Sequence, residues 1–348
     1  RSRPAPTSSP PAVLNLRPRS DNLWKAHRKA LQPGFGPTHL AHAAEASDLV
    51  GDELVDQWSA FADAVAASAG GDPAVVDVRV AAACATLDVL GHVVFSYGFG
   101  SVRSLAAGDG RDGRTFGTAA PVHDQFEAYD GIFRVMGGRL YVPKPLWALT
   151  GGTAAAMKPS RDAVVSAVAS VLEEKKRGRS ADKPESRKDF MDHLLDADKF
   201  TEEDVTDETI AFFLAGFETS ANTLTTCIMC VAEHPEVMKK LQEEVDLVLG
   251  PSGKVTMDAL ASLKYTEQVI VSDARTRDVP QNAKETLRLH PTVPALRRHA
   301  VRDTTLGGHA VAKGTAAVVC IQGLHRKKEY WDRPLAFDPD RWSPSGAA

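Results

Sequence analysis

Within a strongly apolar stretch, Ala215-Gly216-Phe217-Glu218-Thr219-Ser220 sets a glycine, an acid and two hydroxyls side by side. Each is costly or unhelpful in the middle of a helix, and such departures from local preference mark function. The small Ala215-Gly216 pair would let a flat ligand approach the backbone. A threonine hydroxyl bonded back to a carbonyl opens a helix locally, and an acid beside an alcohol can relay protons into that opening. Taken alone, the same residues describe a kinked structural helix. A second group lies downstream: Glu285-Thr286-Leu287-Arg288 places an acid and a base three residues apart, on one helical face, where they can form a charge-assisted pair. It is followed by HPTVPALRR at His290–Arg298, by Leu324-His325-Arg326, and by FDPDRW at Phe337–Trp342.

The cysteines offer less chemistry. Cys84, Cys227, Cys230 and Cys320 show neither a disulfide framework nor zinc-ligand spacing, which fits a reducing compartment or a cytosolic face. Cys227 and Cys230, three apart on a helical stretch, read as small buried hydrophobes; Cys84 reads as helical core and Cys320 as part of a β-like run. No metal ligand is expected among them.

Periodicity supplies the elements that must position these residues. Apolar residues recur at helical spacing over Trp24–Phe35, His39–Ala67 and Val76–Phe95, and again over Ala163–Lys176. Gly108–Gly117 reads as a loop and Lys175–Lys188 as a charged linker. The strongest helical block is expected to begin near Thr206, with Glu208 and Thr209 as capping partners, and to run past Met229. A second helix starts at Pro235, favoured in a first turn, and stops at Gly250-Pro251. Beyond Pro291 the pattern turns to short β-like runs, Thr304–Leu306 and Thr315–Ile321, separated by Gly307-Gly308 and Lys313-Gly314. The fold class is therefore mainly α with a small β portion. Tyr265–Ile270 and Lys284–Leu289 both look helical, yet the thirteen residues Val271–Ala283 between them are polar and carry Pro280. Without those residues, Tyr265, Val269, Thr286 and Leu287 fall on one stripe. The segment reads as foreign to the fold: either a retained intron, since Val-Ser can be encoded by the splice-donor sequence GTGAGT, or an unusual surface loop.

At 348 residues the chain is long enough for two domains, with one large domain permitted. With 43% hydrophobic and 25% charged residues the composition is ordinary for a globular protein. A formal charge of −4 and a pI near 6.3 give no overall basic field, so nucleic acid is not expected as a partner. No apolar run of about eighteen residues is read, and no membrane-spanning helix is expected. Residues 1–22 are rich in proline, arginine and serine and read as a disordered or non-native leader; an organellar transit peptide has the same composition.

Taken in order, the landmarks resemble those of the cytochromes P-450. AGFETS resembles the oxygen-activating A/G-G-x-D/E-T-T/S motif, ETLR the E-x-x-R motif, and FDPDRW the later P-E-R-F segment. Trp24-Lys-Ala-His-Arg28, followed by Lys29 and Pro33-Gly34-Phe35, resembles the W-x-x-x-R segment. Pro291-x-x-Pro294-x-x-x-Arg298 is similar to the segment after E-x-x-R, and Thr86–Ser101 to a further helical region. The resemblance covers Leu23 to about Trp342, apart from 271–283, and is loose over Phe116–Ala156.

This resemblance implies a haem-dependent monooxygenase that inserts one oxygen atom from O2 into a lipophilic substrate, with electrons from an NADPH-dependent reductase or a ferredoxin. Haem b would be the cofactor. Glu218 and Thr219 would deliver protons; Ala215 and Gly216 would lie against the cofactor; Trp24, Arg28 and Arg298 would seat its propionates. Glu285, Arg288 and Arg341 would form a buried ionic triad. The wording AGFETSANTL resembles eukaryotic-type members. The family's F-x-x-G-x-R-x-C-x-G segment, whose cysteine binds iron, is expected after FDPDRW and is not among the 348 residues. On this reading residues 23–348 are a partial P-450 domain, truncated at both ends, that as written binds haem poorly and is inactive. A lost anchor or transit peptide would place the protein on the cytosolic face of the endoplasmic reticulum or in an organelle. The alternative is a non-catalytic, P-450-derived helical binding protein.

Overall fold

The computed structural model describes residues 21–67, 74–106, 115–116, 131–132, 134–135, 146, 152–178, 188–196, 200–250, 253–270 and 285–343. They are mainly helical, with two-stranded sheets as the minor part. Contacts divide the chain into two units, Arg1–Glu218 and Thr219–Ala348, each with its own core; the division falls inside the longest helix.

The first unit opens with α1 (Asp21–Leu31), a 3-10 turn at Gln32–Phe35 where Pro33 ends regular α-helix, and α2 (Pro37–Ala67). Asp77 then caps α3 (Val78–Leu90), its side chain accepting the Val80 N–H at 3.1 Å. Val76, read from sequence as the start of this helix, instead forms β1 with Val75, and the two pair in parallel with β2, Thr115–Phe116, inside the stretch expected to be loop. A π-helical turn, Gly91–Phe95, follows α3, and Ser96 leaves it in the left-handed region at φ 48°. Next come α4 (Ser101–Ala106), α5 (Gly152–Gly178) and α6 (Phe190–Leu195). Core side chains from these helices, among them Val50, Leu54, Leu87, Phe95, Leu105, Val168 and Met191, gather with Ile210, Phe213 and Phe217 of α7 (Glu202–Glu233).

Several sequence expectations need correction here. Helix α7 begins one turn before Thr206. Its cap is Thr201, whose hydroxyl accepts the Asp204 N–H at 3.1 Å while the Asp204 carboxylate accepts the Thr201 N–H, a reciprocal capping box. Thr206 instead donates to the Glu202 carbonyl. Lys175 is not in a solvated linker: it ends α5 with its ammonium buried against Asp189 and Asp192, which together cap α6. Val78–Phe95, with a mean hydropathy of 1.6 over 18 residues, is long and apolar enough to cross a membrane by length and composition, contrary to the expectation of no such segment. Arg79 and Asp88 stand within it, and 61% of the stretch is buried within the protein, as in a core helix. The leader 1–20, the segment 271–284 and most of Phe116–Ala156 lie outside the described residues.

In the second unit the remainder of α7 leads to α8 (Pro235–Leu249), α9 (Met257–Ser262), α10 (Lys264–Ile270) and the five-residue α11 (Glu285–Leu289). Gly250, at φ 59°, ends α8. Glu244 on α8 takes the first-turn N–H groups of Tyr265 and Thr266 at 2.6 and 2.7 Å, fixing where α10 starts. Strand β3 (Ala295–His299), which the sequence reading missed, pairs antiparallel with β6 (Ala316–Cys320). Between them β4 (Thr304–Leu306) and β5 (His309–Val311) form a hairpin. Its two-residue turn, Gly307-Gly308, has both φ positive, at 56° and 83°, as a tight turn matching strand twist requires. A one-turn helix α12 (Ile321–His325) and a 3-10 turn at Pro339–Trp342 close the described chain.

Asp88 shows how the first unit is fixed. Buried in α3, it accepts the N–H groups of Ser101 and Val102 at 2.9 Å each and so caps α4. Replacing Asp88 with alanine leaves two buried donors without an acceptor. The expected loss is about 2–3 kcal/mol of unfolding free energy, read from the midpoint of a urea titration at unchanged slope.

Candidate functional site

A densely hydrogen-bonded side-chain cluster is built on α11. Glu285 and Arg288, three residues apart, are both fully buried and meet in a two-pronged pair, with Arg288 Nε and Nη2 each 2.8 Å from a carboxylate oxygen. Oε1 of Glu285 also accepts the Asp338 N–H at 2.8 Å and Arg341 Nε at 3.0 Å, and Oε2 accepts Trp342 Nε1 at 3.1 Å. The remaining N–H groups of Arg288 go to the carbonyls of His325, Pro334 and Ala336 at 2.9, 2.6 and 2.9 Å. The guanidinium stacks on Trp331, 5.1 Å from the ring centroid, and Trp331 meets Trp342 at 5.5 Å. The structure thus brings Glu285, Arg288 and Arg341 together. It adds Trp331 and Trp342, which sequence reasoning missed although both stand in the same Trp-rich stretch as FDPDRW.

Ala215–Ser220 lie within α7, helical throughout. Just beyond it, threonine hydroxyls donate back along the helix: Thr223 to the Thr219 carbonyl, Thr225 to Ala221 and Thr226 to Asn222. Gly216 has a packing reason. A methyl there would stand 2.6 Å from Cδ1 of Leu90, so its lack of a side chain lets α3 approach α7. Thr86 of α3 supports the same contact, donating to the Phe217 carbonyl at 3.0 Å. Ala215 is the exposed member of the pair, while Glu218 and Thr219 are half-buried. Further along, Thr223 meets Thr292 at 2.9 Å, tying α7 to the segment that enters β3.

Trp24 and Arg28 both lie on α1, with Arg28 exposed. What anchors that helix is a residue the sequence reading passed over. His27 is buried, 2.6 Å from the Glu208 carboxylate and 3.8 Å from Asp204, with its ring against Phe200. Its spacing of four from the buried Leu31 was the available signal. Arg298 sits on β3, exposed, with no ion pair among the described residues; its guanidinium donates to the Arg297 carbonyl at 3.0 Å. Strand register puts Arg298 on one sheet face with Leu296, Val319 and Ala317. Leu296 and Val319 are exposed, so this face offers a cation beside apolar surface, a donor set that fits a flat apolar group carrying carboxylates.

Burial, the largest influence on each buried thiol, pushes Cys84 up to about 12 and Cys227 and Cys230 up to about 11, away from the thiolate that binds iron. Only Cys320 is exposed. In native protein at neutral pH, a thiol reagent is expected to modify Cys320 alone at the rapid rate, with the other three reacting on unfolding; a mass spectrum of the labelled protein checks this. Arg288→Lys keeps the charge but cannot reproduce the planar fork or its five donors. The expected loss is about 3–5 kcal/mol of stability, measured by denaturant titration.

The cytochrome P450 family model matches residues 9–347. The chain is 26% identical over 344 residues to "Cytochrome P450 97B2, chloroplastic" of Glycine max, covering 94% of this chain and 56% of that protein. It is 31% identical over 178 residues to "Cytochrome P450 3A41" of Mus musculus, covering 48% and 33% of the two chains. With "Cytochrome P450 4V2" of Homo sapiens it shares 34% over 174 residues, 48% and 31%. The chain spans about half the length, or less, of these relatives. With a family model matching nearly end to end and the Glu285–Arg288 cluster built as described, the chain belongs to the cytochrome P450 family.

Proposed function

We propose that this chain is part of a haem-dependent monooxygenase that inserts one oxygen atom from O2 into a lipophilic substrate. Family membership supports the reaction class. The observation that carries the cofactor assignment is Arg298, unpaired with any acid among the described residues and beside exposed Leu296 and Val319 on one face of the β3–β6 sheet. When bound, haem supplies the reductive activation of O2 and the delivery of one oxygen atom to an apolar substrate. Arg298 would pair with a propionate, and Arg28 and Trp24 on α1 would take the same role. Glu218 and Thr219, adjacent on α7, would hold and pass protons at a carboxylate and a hydroxyl oxygen. Electrons would come from an NADPH-dependent reductase or a ferredoxin.

Two measurements test this. Titration of this polypeptide with hemin is expected to show saturable uptake, weakened roughly fivefold by Arg298→Ala, the effect of losing about 1 kcal/mol of exposed ion pairing. The product of the full-length transcript, reduced and treated with carbon monoxide, is expected to show the red-shifted absorption of a thiolate-ligated haem. Hemin uptake that Arg298→Ala leaves unchanged, or a spectrum of nitrogen-ligated haem from the full-length product, overturns the reading.

A further inference from the structure

A threonine hydroxyl on a helix commonly donates to the carbonyl four residues earlier, and α7 does so at Thr223, Thr225 and Thr226, at 2.8–2.9 Å. Thr286 makes a bond of the same kind, donating to the Val269 carbonyl at 2.8 Å, yet the two residues are 17 apart in sequence. Seventeen less the thirteen residues of Val271–Ala283 is four. The carbonyl that Thr286 reaches belongs to the last turn of α10, among those a helix leaves without an internal donor.

Burial follows the same register. With 271–283 set aside, Tyr265, Val269, Thr286 and Leu289 stand four, four and three apart, the spacing of one buried helical stripe. Val269, Thr286 and Leu289 are all buried, and Val269 and Leu289 pack with Tyr265 in the second unit's core beside Cys227, Cys230 and Val237. Leu289, and not the half-buried Leu287, therefore completes the stripe. Glu285 and Arg288 fall on the neighbouring face, turned to the segment His325–Trp342.

We infer that α10 and α11 are the two halves of one helix, Lys264–Leu289, and that residues 271–283 are a register-neutral insertion into it that this fold does not use. Two short helices must each be nucleated, whereas the joined helix is nucleated once. The insertion adds loop-closure entropy that grows only slowly with length, so the chain tolerates it at the expense of stability around Glu285. The inference rests on register alone and stands whether or not the protein carries haem.

Three deletions in the full chain test it: 271–283, 271–282 and 271–284, the last two rotating Thr286 and Leu289 off the stripe by about 100° in opposite senses. The 271–283 deletion is expected to raise Tm by roughly 3–6 °C and increase helical circular dichroism, with both off-register deletions melting below the parent. A 271–283 variant that melts at or below the parent, or three deletions that melt together, overturns the inference.

Discussion

A carboxylate removed from water must be surrounded by donors, and Glu285 meets that constraint with Arg288, Arg341, Trp342 and the Asp338 backbone, converging on two oxygens. Three of these come from residues more than fifty positions away. The cluster therefore fixes the path of the chain after α12, where regular structure is scarce. Arg288 completes the work from the other side: its donors hold the carbonyls of His325, Pro334 and Ala336, so an irregular stretch is shaped by one planar fork. A buried ion pair is weak evidence for net stability, because desolvation offsets its attraction. What it supplies is geometry, since any other path for this segment would leave a charge buried without partners.

The first unit uses the same device with smaller reach. Asp77, Asp88, and the pair Asp189 and Asp192 each spend a carboxylate on the N–H groups that open a helix, and the last two are joined by a buried lysine. In both units, then, acids set where helices begin, Glu244 doing so for α10, and apolar faces fill the space between. Helix starts governed by side chains thirteen or more residues away, as at Ser101 and Tyr265, carry no local signal.

This explains which parts were legible. Long helices such as α2 and α7 declare themselves through apolar spacing, and Pro235 and Gly250 mark α8 because their backbone restrictions act locally. The start of α7 was misplaced because Thr206 and Thr201 offer the same chemistry, and only geometry shows which hydroxyl meets an N–H. Strand β3 was missed since Arg297, Arg298 and His299 give no alternation of apolar with polar residues; its partner β6 decides it. Of the cluster on α11, the acid–base pair was visible as an i,i+3 spacing. The contributions of Trp331 and Trp342 depend on how the chain returns, which spacing does not encode.

Gly216 sharpens what a motif can be asked to carry. In the sequence its presence in a helix looked like a concession to a ligand, one unfavourable residue among several. The contact with Leu90 accounts for it as helix packing, with Thr86 bonding the Phe217 carbonyl one residue on. Once that cost is assigned to packing, the departures from helix preference that remain are Glu218, Thr219 and Ser220, an acid followed by two alcohols, the first two half-buried. The chemistry expected of Ala215–Ser220 therefore rests on its acid and alcohols, and the glycine is the residue that lets their helix lie against α3.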